Sequence, residues 1–157
     1  MKQLSDELLD CAKKRLSTNV SEITECDLRR AQSDLYYAVF HAICAALVEP
    51  LHAAKLSKAF TRIYVAIYRY PDHGKMEQRA RKLGGSSQYP KEVRRIAQAF
   101  VDLKNKREEA DYNPLSTHEN SVIRNDVQKI ETLLRDFWSL PEELRIGFAL
   151  HVTRLER

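Results

Sequence analysis

Apolar residues recur three and four positions apart along most of the chain, and these runs predict helices. Leu4, Leu8, Leu9, Ala12 and Leu16 form a first stripe, with Ser5 as its candidate N-cap and a polar run over 17–21 as its end. Thr24-Glu-Cys-Asp27 has the form of a capping box with Asp in the usual Glu or Gln place, and opens a second helix reaching about Val48. Pro50 ends that helix or begins the next element. A third helix over Ser57–Tyr70 carries Phe60, Ile63, Tyr64 and Ile67. Pro71-Asp-His-Gly74 predicts a turn, a short basic segment surrounds 78–82, and Gly84-Gly-Ser-Ser87 predicts a flexible loop. The fourth helix runs from near Pro90 to about Asp111 on Val93, Ile96, Ala97, Phe100 and Leu103. Pro114 disfavours helix at Asn113 and so marks a break. A fifth helix starts at Ser116 or Thr117 and carries Val122, Ile123, Val127, Ile130, Leu134 and Phe137 on one side. Pro141 can start a final helix, about 141–156, through Leu144, Phe148 and Val152.

The expectation is therefore one all-α domain over 1–157: a four- to five-helix bundle, core about 24–139, with an extra C-terminal helix. Composition agrees, because only 4 Gly and 5 Pro in 157 residues favour helices over a turn-rich β fold. The formal charge of +4 permits an anionic partner such as RNA without requiring one. Cys11, Cys26 and Cys44 are odd in number and show no C-x-x-C spacing, so they read as small buried side chains in a reducing compartment. No metal-ligand spacing links His52, His73 and His151, and no motif calls for a metal or cofactor. The N-terminus is unlike a signal peptide, and the apolar run 35–48 is too short to span a bilayer; the chain reads as cytoplasmic with no membrane partner.

Two features ask for more than a core. The second helix has one stripe of Leu28, Leu35, Val39, Ala42 and Ala46, and another of Arg30, Ser33, Tyr37, His41 and Cys44. A surface helix of a monomer shows one apolar face, so this one is either central to the bundle or covered by a second subunit. On the fourth helix the stripe Val93, Ile96, Phe100, Leu103 runs on into Arg107. An Arg at a core register is paired or lines a cleft. Asp111, four residues on, can pair with it; in a recess the same guanidinium makes a fork for phosphate.

Two stretches together resemble the HEPN (higher-eukaryote-and-prokaryote nucleotide-binding) family. Arg30-Ala-Gln-Ser-Asp-Leu-Tyr-Tyr-Ala-Val-Phe-His-Ala42 is similar to the second-helix signature of bacterial HEPN-like proteins, and Arg107-Glu-Glu-Ala-Asp-Tyr112 to their R-x-x-A-D-Y segment. The resemblance covers roughly residues 25 to 137. It implies a bundle that pairs as a homodimer and acts on or binds RNA or a nucleotide at the dimer cleft. Many members are metal-independent endoribonucleases, often toxins paired with a nucleotidyltransferase-like antitoxin. In such a site, Arg stabilises the phosphorane and His moves the proton. Here Tyr112 stands at the motif's His position, Glu108 follows the Arg, and Asp34 replaces a common Arg. A phenol can donate a proton but is a poor base at neutral pH. The resemblance thus implies Arg107, Asp111 and Tyr112 as catalytic residues, with Arg107 also contacting the RNA or nucleotide; the polar stripe of the second helix adds His41 as a further catalytic candidate and Tyr37 as a binding one, neighbours of Arg107 across the bundle. The alternative it leaves open is a non-catalytic module binding a nucleotide or the nucleotidyltransferase-like partner. Arg79, Arg81, Lys82, Lys91, Arg94 and Arg95 form a basic run about the 84–87 loop, and Arg94 and Arg95 are its candidate RNA contacts.

Overall fold

The second helix organises the molecule because it is apolar on more than one side. A computed structural model, which describes residues 2–17, 19–51 and 58–154, contains seven α-helices among them. These are α1 (Lys2–Arg15), α2 (Glu25–Val48), α3 (Lys58–Arg69), α4 (His73–Gly84), α5 (Lys91–Tyr112), α6 (Asn120–Ser139) and α7 (Glu142–Thr153). Short 3₁₀ turns occupy Val20–Glu22 and Glu49–Leu51, and the described residues contain no strand. The start expected at Ser57 and the end expected near 156 lie outside the described residues.

The box at the head of α2 closes reciprocally. Thr24 N–H donates to Asp27 Oδ2 at 3.0 Å, and Asp27 N–H donates to Thr24 Oγ1 at 3.2 Å. Downstream, Leu35, Ala38, Val39, Ala42, Ile43 and Ala46 are fully buried. The helix packs against α1, α3, α5, α6 and α7, so within one chain its central position already covers its apolar sides. Its alanines let α1 approach closely enough for Ser5 Oγ–H to donate to the Ala38 carbonyl at 2.7 Å. Ser5 is thus a buried tie inside α1, not its N-cap.

The basic segment after the third helix is longer than its sequence suggests. It forms α4, begun by Asp72, whose Oδ1 accepts from Lys75 N–H at 2.8 Å. Only Met76, Ala80 and Leu83 supply its apolar stripe. Gly84 closes it where a Cβ would come within 2.9 Å of Gln98 Cγ on α5, and Gln98 Nε2 donates to the Gly84 carbonyl at 3.0 Å. The loop expected over 84–87 therefore begins one residue later.

The break after α5 is held by Arg29 of α2. Its guanidinium donates to the carbonyls of Ala110 at 2.8 Å, Asn113 at 2.9 Å and Ser116 at 2.5 Å. Residues 113–119 are tied down as a loop, so α6 starts at Asn120 and not at 116 or 117. His118 lies in that loop, paired with Glu25 at 2.7 Å. At the other end, buried Arg145 of α7 grips Glu49 through Nη2 at 2.6 Å and Nε at 3.2 Å. Cys44 is buried, whereas Cys11 and Cys26 are exposed on outer faces, against the expectation for all three. The stretch Glu25–Leu51 is long and apolar enough, by length and composition, to cross a membrane, but most of it is buried by the other helices.

Candidate functional site

Arg107 emerges from the stripe of α5 between two tyrosines. Its Nε lies 2.8 Å from Asp111 Oδ2, with both side chains about one-fifth exposed (20% and 19%). The Nε–H is not aligned on that oxygen, so the contact is an ion pair and not a hydrogen bond. Asp111 is steadied from α2 by Ser33 Oγ–H, which donates to Oδ1 at 2.7 Å. Arg107 Nη2 donates to Tyr37 Oη at 3.3 Å, a long bond, and Cζ lies 5.8 Å from the Tyr37 ring centroid. On the other side, Cζ lies 5.0 Å from the ring of Tyr112, which is 69% exposed. One helix turn, one ion pair and two cation–π contacts thus fix a partly exposed guanidinium between two tyrosines.

The aromatic side chains next to Tyr37 include a residue that the sequence did not single out. His73, the first residue of α4, stacks on Phe40 at 4.2 Å and 23°, and meets Tyr37 edge-on at 6.2 Å and 90°. Its Nδ1 is hydrogen-bonded to the Tyr36 hydroxyl. Burial lowers the His73 pKa, and the positive Arg107 lowers it further. Burial also pushes the Tyr36 phenol well above its ordinary range, so it keeps its proton. No spacing signal could have found His73, since thirty-four residues separate it from Arg107. The one local hint was a histidine directly after a helix-capping Asp.

Among the described residues no direct contact joins His41 to Arg107, although its ring stacks on that of Tyr37 at 6.3 Å and 30°. It lies one turn past Tyr37 but is turned toward α3, where its Nδ1 is 2.7 Å from the Tyr68 hydroxyl and the two rings stack at 5.7 Å and 12°. Its pKa too is lowered, by burial first and by His73 second. Lys104 joins Glu77 of α4 at 2.9 Å to Glu108 at 2.5 Å, and Glu77 also takes Arg81 at 2.6 Å. Hydrogen bonds from Arg81 and Lys104 hold Glu77 below the usual carboxylate range.

The basic run does not gather into one patch. Arg79 is buried beneath α7, donating to the Val152 carbonyl at 3.3 Å, and Arg81 is committed to Glu77. Arg95 reaches Asp136 of α6 at 3.4 Å, while Arg94 is half-buried. Arg94 and Arg95 stand twelve or thirteen residues from Arg107 on one helix, roughly 18–20 Å along its axis, so they do not join its cluster. No group of three His, Cys, Asp or Glu side chains among the described residues is placed to hold a metal ion.

Fold and site together define an all-α bundle with an arginine-centred aromatic cluster contributed by α2, α4 and α5. In comparisons with known proteins, the chain matches no family model, no curated protein and no solved structure.

Proposed function

We propose that the chain is a HEPN-type protein that acts on or binds RNA or a nucleotide at the Arg107 cluster, in a cleft completed by a second copy. The observation that carries this reading is the state of Arg107 itself. It sits at a core register, yet its side chain stays about one-fifth exposed (20%) instead of vanishing into the core, backed by Asp111, Tyr37 and Tyr112. An arginine so oriented presents its remaining N–H groups to a phosphate. In the enzymatic form, a toxin-like endoribonuclease without metal, Arg107 stabilises charge on the attacked phosphate, Asp111 orients Arg107, and Tyr112 supplies a proton.

The second reading is a non-catalytic module that takes a nucleotide or a nucleotidyltransferase-like antitoxin at the same cluster. Tyr112 favours it: the motif position that would hold a proton-accepting His holds an exposed phenol. Incubation with structured RNA in EDTA separates the two. Cleavage by the wild type and not by a folded Arg107→Ala variant supports the enzyme. Arg107-dependent binding without cleavage supports the module, and neither cleavage nor binding removes both.

A further inference from the structure

We propose that His73 is the second anion-contacting group of this cluster, its Nε2 facing a phosphodiester held by Arg107 and taking up one proton as that ligand binds. The inference rests on the reading of the Arg107 cluster as a phosphate site, and adds a residue from a different helix with a different chemical role. It places proton-linked binding on α4, not on Tyr112 or on His41.

Three observations of geometry carry it. Arg107 and His73 flank the same Tyr37 ring, the guanidinium at 5.8 Å and the imidazole at 6.2 Å from its centroid. The His73 ring is fixed from two directions, by stacking on Phe40 and by the Tyr36 hydroxyl at Nδ1. Among the described residues its Nε2 has no hydrogen-bond partner, so one ring nitrogen of an otherwise held imidazole is free for a ligand. A held ring with one open nitrogen is pre-organised for contact. His41 also lies 6.3 Å from the Tyr37 ring with its Nδ1 on the Tyr68 hydroxyl, but the charge of Arg107 is felt at His73 and not at His41.

The charges around His73 decide the protonation. From α2 it meets the phenols of Tyr36 and Tyr37 and, a turn on, His41, which links it to Tyr68 of α3. On α4 it adjoins Asp72, whose carboxylate is engaged in capping, with Lys75 and Glu77 further along. From α5 come Lys104 and Arg107, with Glu108 tied to Lys104 and Asp111 to Arg107. Of these, Arg107 and Lys104 act against a proton on His73, Asp72 acts for it, and burial acts against it most. At neutral pH, without an anion beside it, the His73 imidazole is therefore neutral. With Nδ1–H donated to Tyr36 Oη, Nε2 is the nitrogen that takes the proton, and a phosphodiester between Arg107 and His73 offsets the arginine's charge and accepts a charge-assisted hydrogen bond from Nε2–H. Binding of the anion and of the proton then favour each other.

The test uses the deoxydinucleotide d(UpA), a diester whose single charge does not titrate near neutrality and which lacks the 2′-hydroxyl needed for cleavage. Followed by NMR, the wild-type His73 Hε1 resonance is expected to move to its protonated position on addition of d(UpA) at neutral pH. The dissociation constant is expected to rise by up to about tenfold per pH unit between the free and the ligand-bound pKa of His73, the slope for one proton taken up. His73→Gln is expected to bind with no such slope, and Arg107→Ala to lose binding throughout. Arg107-dependent binding with an unmoved His73 resonance and no pH slope overturns the His73 proposal and leaves the phosphate reading standing. Absence of binding, or binding indifferent to Arg107→Ala, overturns both. If His73→Gln does not fold, the wild-type resonance and pH slope alone decide between these outcomes.

Discussion

Replacing Arg107 by Ala separates a functional arginine from a structural one by the size of the loss. The side chain contributes one ion pair of i,i+4 spacing, one long hydrogen bond and two cation–π contacts. At four-fifths burial the ion pair is worth somewhat more than the ~0.3–0.5 kcal/mol of an exposed helical pair, and each cation–π contact about 0.5–1 kcal/mol. These contributions share one guanidinium and do not add fully, so the expected destabilisation is about 1.5–2.5 kcal/mol. Asp111 keeps its bond from Ser33 and a path to water, which prevents the larger penalty of a stranded buried charge. With a slope near 2 kcal/mol/M, typical of small proteins, the urea midpoint should fall by about 1 M with the slope unchanged. Far-UV circular dichroism should remain helical. An unfolded variant, or a loss above about 4 kcal/mol, would show that Arg107 is a structural keystone. An unchanged midpoint would show that the clamp is not formed at all.

Arg29→Ala removes three carbonyl bonds at the end of α5, and is expected to destabilise by about 2–3 kcal/mol. Hydrogen exchange should quicken over 113–119 more than elsewhere, and uniform protection would refute the role of Arg29 as the tie. The two histidines should make stability rise with pH. Both folded-state pKa values are lowered, so below about pH 6.5 the unfolded chain binds more protons than the native one. The loss begins as pH falls through that value and ends below the two depressed ones. Its slope is at most about 1.4 kcal/mol per pH unit for each histidine, and less with solvent screening. Urea titrations across this window should become less steep in a His41→Gln, His73→Gln double variant, with His151, also lowered by burial, keeping its own share, and an unchanged slope would contradict the assignment.

Much of the fold was legible because it rests on local rules. The reciprocal bond of Thr24 and Asp27, the break before Pro114 and the stripe from Val93 to Leu103 all depend on neighbours in sequence. What was not legible depends on packing. Ser5 has the chemistry of a cap, but a distant alanine-rich helix takes its hydroxyl instead. The head of α4 is polar and contains glycine, so only its packing on α5 and α7 reveals it as a helix. Within the cluster, Arg107, Asp111 and Tyr112 share one helix, and Tyr37 falls on a visible stripe of α2. His73 reaches them only through the turn between α3 and α4, which no periodicity describes. The basic run dissolves for the same reason: helical geometry sends Arg79 under α7, Arg81 to Glu77 and Arg95 to Asp136.

The most direct measurement is fluorescence anisotropy of labelled single-stranded RNA titrated with wild type and Arg107→Ala in EDTA, at low and moderate salt. Wild type is expected to bind, with affinity falling as salt rises, and the folded Arg107→Ala variant to bind at least about tenfold more weakly. Equal affinity of the two proteins, or no binding by the wild type at low salt, would contradict a phosphate-binding role for the Arg107 cluster.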